Sequence, residues 1–192
     1  MHIILASASP RRKELLSYLG IAFEVIVPAI DEAVINGEPP ADFCARVCRD
    51  KALAVGSDKP DALIIAADTI VVIDGRILGK PQDKDQAVEF LKLLRSRAHE
   101  VYTGYTVAVI GADRIVTRVV RTTVHFRAMS DEEIRWYIST CEPMDKAGAY
   151  ALQGLGAIFV DRIDGSYTNV IGLPLAELYH DLKTFAPPLK IL

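Results

Sequence analysis

Cysteine is scarce in this chain, with three among 192 residues. Cys44 and Cys48 stand one helical turn apart and Cys141 stands alone, so neither a disulfide framework nor a four-ligand zinc site fits. A reducing cytosol suits such thiols. Long hydrophobic runs are missing as well. The opening apolar stretch, Met1 to Ala6, gives way to Ser7, Ser9, Pro10 and two arginines. That is too short for a signal peptide or a bilayer span, and the expectation is a cytoplasmic protein with no membrane partner. Nor is there an excess of positive charge. The 22 Lys and Arg face 25 Asp and Glu, a formal net charge of −3, which excludes a general binder of nucleic-acid polymers. Aromatic residues make up only 7%, but hydrophobic residues reach 51%, enough for a chain of this length to bury a core without metal or disulfide staples. No repeat, linker or low-complexity stretch divides it, and a single domain over residues 1–192 is expected.

What is present is an alternation of short apolar runs, rich in β-branched residues, with stretches of helical period: the pattern of an α/β protein. His2 to Ala6 reads as a strand. Ser9 as N-cap, Pro10 at the first helical position, Leu15, Leu16 and Leu19 as an apolar face and Gly20 behind them read as the helix that follows. A strand is expected at Phe23 to Val27, and a second helix from Pro39-Pro40 to about Gly56, with Phe43, Val47 and Leu53 among its apolar positions and Lys51 on its polar face. Leu63 to Ala67 reads as a buried strand, and Ile70 to Ile73 continues it as far as an Asp74-Gly75 turn, with the polar pair Asp68-Thr69 set in the otherwise apolar stretch. Asp83 with Gln86 marks a third helix over Ala87, Val88, Leu91 and Leu94. Val101 to Ile110 and Arg114 to Phe126 flank Gly111-Ala112-Asp113 as a hairpin. Ser130 and Glu133 form the capping box of another helix, Ile158 to Ile163 is a late strand, and Leu173 to Phe185 a closing helix.

Several segments carry candidate chemistry. Ser7-Ala8-Ser9-Pro10-Arg11-Arg12 lies between the first strand and the first helix, where free N–H groups and two guanidiniums suit a polyphosphate; a plain N-cap followed by solvated arginines is the competing reading. Asp68 follows a strand too apolar to expose a carboxylate casually, and an isolated buried carboxylate costs several kcal/mol, so it needs a partner. Lys80, between Gly79 and Pro81, could be that partner or a phosphate ligand. Asp31-Glu32, in the loop after the second strand, could supply oxygens to magnesium. The glycine-rich stretches Asp145 to Gly154 and Gly165 to Pro174 allow either close approach to a ligand or tight packing. No P-loop or dinucleotide fingerprint is present, and His2, His99, His125 and His180 have no ligand-like spacing.

Taken in order, SASPRR (Ser7 to Arg12), AADT (Ala66 to Thr69), LGKP (Leu78 to Pro81), DKAGAYALQG (Asp145 to Gly154) and GSYTNVIGLP (Gly165 to Pro174) resemble the Maf family of nucleoside triphosphate pyrophosphatases over nearly the whole chain. The resemblance implies an α/β fold like that of inosine triphosphate pyrophosphatases, a central mixed β-sheet with flanking helices and two lobes around a cleft. It also implies a divalent metal, Mg or Mn, and a homodimer. The implied reaction is attack of water on the α-phosphorus of a nucleoside triphosphate, releasing pyrophosphate and leaving the monophosphate. By the same resemblance Ser7, Arg11, Arg12 and Lys146 bind the substrate, and Lys51 and Lys80 offset the charge that builds up in phosphoryl transfer. Glu32 with Asp68 holds the metal, and Asp68 accepts the proton of the attacking water. Arg11, Thr69 and Gln153 match the branch acting on dTTP and UTP, and a glutamine amide can pair as donor and acceptor with a pyrimidine edge. The alternatives are a purine-type substrate such as 7-methyl-GTP and a nucleotide-binding regulator of septum formation linked to cell-division arrest.

Overall fold

Strands buried on both faces must be apolar throughout, and the two runs that meet this demand, Ile3–Ala6 and Leu63–Ile73, become the neighbouring parallel strands β1 and β3. The computed structural model describes residues 2–185. Of the expected domain 1–192, residue 1 and residues 186–192 lie outside the described residues. Between and after these strands come α1 (Pro10–Ser17), β2 (Glu24–Val25), α2 (Pro40–Asp58), β4 (Arg76–Leu78), α3 (Lys84–Leu94), β5 (Ala98–Val109), β6 (Arg114–Phe126), α4 (Asp131–Ser139), β7 (Val160–Asp164), α5 (Tyr167–Ile171) and α6 (Leu175–Phe185). The strands form one mixed sheet in the order β2-β1-β3-β5-β6-β7, with β4 paired to β3 off this path, and helices flank it.

Two compact units divide the chain. The first comprises the chain up to Asp68, Thr103–Val120 and the chain from Gly172 on; the second comprises Thr69–Tyr102 and Arg121–Ile171. In the first, Ile4, Ala6, Ile64, Ala66 and Ala108 pack with Ala52 and Val55 of α2. Small residues let backbones come close here: a Cβ on Gly104 of β5 would lie 2.5 Å from the Cys44 carbonyl oxygen of α2. Buried Asp181 ties α6 down, accepting from Tyr105 Oη at 2.7 Å and from Arg118 Nε and Nη2 at 2.6 and 2.9 Å. In the second unit, Leu91, Phe126, Ile134, Tyr137 and Phe159 anchor the core. Its helices begin where local chemistry predicts: Asp83 Oδ1 accepts from Gln86 N at 2.8 Å, and Ser130 and Glu133 form a reciprocal capping box.

Several boundaries differ from expectation. The second strand shrinks from Phe23–Val27 to two exposed residues, with Glu24 and Val25 in register with Ile4 and Leu5 of β1. β3, by contrast, runs as expected from Leu63 through Asp68-Thr69 to Ile73. Asp74 and Gly75 both take positive φ, 52° and 75°, the geometry of a tight hairpin, and the chain returns as the unexpected β4. The late strand starts at Val160 instead of Ile158, since Leu155–Phe159 winds into a 3₁₀ turn. The short α5 was not foreseen, and the closing helix begins at Leu175 rather than Leu173.

Candidate functional site

Parallel pairing sets the geometry of the first unit's candidate site. Ala6 pairs with Ala66, so Ser7 at the end of β1 comes level with Ala67, with Asp68 next on β3. Ser7 follows the carboxyl end of β1, the kind of position where α/β sheets gather ligands, and Asp68 lies beside it within β3. Ser9 caps α1 by accepting from Arg12 N at 3.4 Å. One turn into the helix, the Arg12 side chain returns to the end of β1 and its neighbour β3: Nη1 donates to Ala67 O at 2.8 Å and to buried Ser7 Oγ at 3.2 Å, and Nε donates to Gly172 O at 2.9 Å. Burial draws the Arg12 guanidinium below its ordinary value; Asp68 and Glu32 work against that shift, and neighbouring Arg11 adds to it. Arg11 is half-buried and has no ion-pair partner among the described residues. Its charge is therefore available to an anion.

Lys51 corrects one expectation. It does not lie on a polar, solvated face of α2; its side chain is 8% exposed, in the stripe formed by Cys44, Val47, Cys48, Ala52 and Val55. The spacing already contained this, since Lys51 is four residues after Val47 and four before Val55. Its ammonium bridges two carboxylates, donating to Asp68 Oδ1 at 2.8 Å and lying 3.0 Å from Glu32 Oε1. Asp68 thus has the partner its burial demands, and that partner is Lys51; Lys80 is exposed and has no ion-pair partner among the described residues. Glu32 is half-exposed and reaches in from the loop between β2 and α2.

Two carboxylates facing one cation are hard oxygen donors of the kind magnesium and manganese prefer. No group of three or more His, Cys, Asp or Glu side chains among the described residues is arranged to hold a metal unaided. Magnesium commonly takes one or two carboxylates and completes its shell with water and substrate phosphates, so Glu32 and Asp68 fit that pattern. The cysteines do not compete. Burial pushes the Cys44 thiol up and the Cys48 thiol up to about 11, so neither offers a thiolate at neutral pH.

Thr69, Lys80, Lys146 and Gln153 belong to the second unit. Thr69 continues β3, and Lys80 follows β4. Lys146 pairs with Asp145 beside it. Gly148, at φ +66°, donates its N–H to Gly79 O at 3.0 Å and ties the Lys146 segment to the Lys80 turn. A Cβ on Gly148 would meet Val71 Cγ1 at 2.9 Å. Gly148→Ala is therefore expected to lower stability by roughly 1–3 kcal/mol through positive-φ strain and this clash; a denaturation midpoint equal to that of the parent would contradict the assignment.

The Gln153 segment is braced on both sides. Tyr137 Oη accepts from Ala151 N at 3.1 Å and donates to Glu142 Oε1 at 2.9 Å, while Glu142 accepts from Leu155 N and Gly156 N, each at 3.0 Å. Burial opposes charge on Glu142, yet these bonds hold its carboxyl below the ordinary value. Tyr150 anchors the same stretch through a 2.8 Å bond to buried His99, whose ring burial lowers to about 3 and keeps neutral. Tyr137, Glu142 and the carbonyls of Ala67 and Gly172 carry no sequence signal for these tasks, because main-chain acceptors and long-range contacts leave no local pattern.

The family described as Maf-like protein matches residues 2–185 of this chain. A dTTP/UTP pyrophosphatase of Geobacter metallireducens is 53% identical over 182 residues, covering 95% of each chain. One from Syntrophus aciditrophicus is 50% identical, covering 94% of this chain and 88% of its own, and one from Bacillus anthracis is 48% identical, covering 95% of both. A solved HAM1 protein from Coxiella burnetii aligns with 66% of this chain and 73% of its own at 17% identity and a TM-score of 0.43, too loose a likeness to bear on this chain.

Proposed function

The chain belongs to the Maf-like protein family, and from that premise we propose that it is a nucleoside triphosphate pyrophosphatase that hydrolyses dTTP and UTP, and modified pyrimidine triphosphates, to the monophosphate and pyrophosphate. The observation that carries this reading is the buried lysine bridging two carboxylates, beside an arginine pinned at the strand ends.

The parts divide the work. Arg11, the first turn of α1, Lys80 and Lys146 bind the polyphosphate, and Arg12, fixed by Ser7, Ala67 and Gly172, adds a positive charge that needs no reorganisation. Water attacks the α-phosphorus, the bond to the β-phosphate's bridging oxygen breaks, and pyrophosphate leaves. Asp68 accepts the water's proton, and Lys51 offsets charge on the phosphoryl oxygens. Glu32 and Asp68 would hold a magnesium or manganese ion, which would supply further neutralisation of phosphate charge and acidify water. Gln153, with Arg11 and Thr69, reads the base. A cytoplasmic homodimer belongs to the same reading; among the described residues no helix is long and apolar enough to cross a membrane.

The test is a nucleotide panel with magnesium or manganese. Pyrophosphate release from dTTP and UTP is expected to exceed that from purine triphosphates by at least about tenfold in kcat/KM, the scale that a few base contacts supply. Stepwise orthophosphate release would refute the assigned bond, and a preference for 7-methyl-GTP would refute the assigned base.

A further inference from the structure

Glu32 meets Lys51 from a segment, residues 26–39, that forms no helix or strand. Left to itself such a segment samples many conformations, and ordering it needs specific contacts. Arg46 of α2 supplies them. Its Nε donates to Glu38 Oε1 at 2.7 Å, and its Nη2 donates to Glu38 Oε2 at 2.8 Å and to Ala33 O at 3.0 Å. Ala33 is the residue after Glu32. Glu38 in turn exchanges bonds with Ile35, its N–H donating to Ile35 O at 3.0 Å and its carboxylate accepting from Ile35 N at 3.4 Å. Asp31 Oδ1 closes the near side by accepting from Ala33 N at 2.9 Å. The two residues of α2 that grip the loop thus engage it at neighbouring points, Lys51 at Glu32 and Arg46 at Ala33 and Glu38.

The Arg46–Glu38 contact is a two-pronged fork, which a planar guanidinium can make and an ammonium cannot. The side chains are 27% and 11% exposed, so water competes less than at an open surface pair. The bond to Arg46 is the main reason the Glu38 carboxyl sits below its ordinary value, and the bond to Glu38 the main reason Arg46 sits above its own.

We propose that Arg46 and Glu38 form a clasp that positions Glu32, and that through Glu32 the clasp sets the site's affinity for its divalent cation. Arg46 is a positioning residue, acting through Ala33 and Glu38 and not on the substrate. The inference rests on the reading of Glu32 as a metal ligand. Groups that orient a metal's ligands typically change its affinity by about 10–100-fold when removed.

The experiment compares the full-length protein with Arg46→Ala, Arg46→Lys, Glu32→Gln and the double variant Arg46→Ala/Glu32→Gln. Hydrogen exchange is read at the Ala33 and Ile35 amides, and Mn²⁺ binding by paramagnetic titration with the ion alone. Arg46→Ala is expected to speed exchange at both amides and to weaken Mn²⁺ binding about tenfold. Arg46→Lys should fall between it and the parent. The double variant should bind Mn²⁺ no worse than Glu32→Gln, because a clasp with nothing left to position has no further effect. Unchanged exchange in Arg46→Ala overturns the proposal, as does an Arg46→Ala effect that adds in full to that of Glu32→Gln. Parent-like Mn²⁺ binding by Glu32→Gln instead removes Glu32 from the metal site and, with it, the clasp's link to the cation. Weakened binding by Glu32→Gln beside parent-like binding by Arg46→Ala sinks the clasp and leaves Glu32 standing.

Discussion

Lys51→Met is expected to destabilise the protein by roughly 3–5 kcal/mol, the usual effect of removing one partner from a buried ion pair. Lys51 and Asp68 have side chains only 8% and 12% exposed, and the ammonium is 2.8 Å from Asp68 Oδ1. Without it a carboxylate is left in the first unit's interior, beside a strand that is apolar almost throughout. Methionine fills the volume without supplying a charge, so packing is nearly conserved and the lost interaction dominates. Urea denaturation reads the effect as a lower midpoint at unchanged slope. Lys51→Met/Asp68→Asn should be markedly less destabilised than the two single changes added together, since no buried charge is then left unpaired. A loss below about 1 kcal/mol in Lys51→Met would mean that Asp68 is solvated or otherwise compensated, contrary to the ion-pair geometry.

Asp68→Asn has its largest effect on turnover. The substitution keeps shape and a hydrogen-bond acceptor for Lys51, and Lys51 retains Glu32 at 3.0 Å, so the fold should persist. What it removes, in the proposed mechanism, is the proton acceptor and a charged oxygen donor for the cation. Loss of a general base typically lowers the rate by about 10²–10⁴-fold, and kcat for dTTP should fall at least to that extent. KM should change far less, because in the proposed mechanism the polyphosphate is bound by other groups, Arg11 and Arg12 among them. A variant that keeps its kcat would take Asp68 out of the mechanism.

Local chemistry made much of this fold legible. Ser9 before Pro10, Asp83 with Gln86, and Ser130 with Glu133 each mark a helix start with side chains that satisfy nearby N–H groups, and each helix begins there. Features that depend on a distant partner were less readable. A polar pair, Asp68-Thr69, within an apolar strand shows that Asp68 needs a partner but not which one; that partner is Lys51, 17 residues earlier in sequence. α5 was hidden in a glycine-bounded stretch too short to show helical period. In the candidate site, residue identities came from motif order, but their connections did not. The acceptors that fix Arg12 are 55 and 160 residues away and are backbone carbonyls, which any residue provides. Arg46 and Glu38 look in sequence like ordinary surface charges, and only their shared fork and the Ala33 carbonyl distinguish them.

The bond from Arg12 Nε to Gly172 O has a consequence in time. The unit that contains both residues is assembled from three separated stretches of chain, with the second unit's residues inserted between them. A ribosome delivers Ser7, Arg12, Glu32, Lys51 and Asp68 early, yet the carbonyl that completes the Arg12 brace emerges only after most of the polypeptide has been made. Until then the nascent protein holds the charged groups of its site without their final support. The corner around Arg12 is thus among the first parts to be synthesised and among the last to be finished.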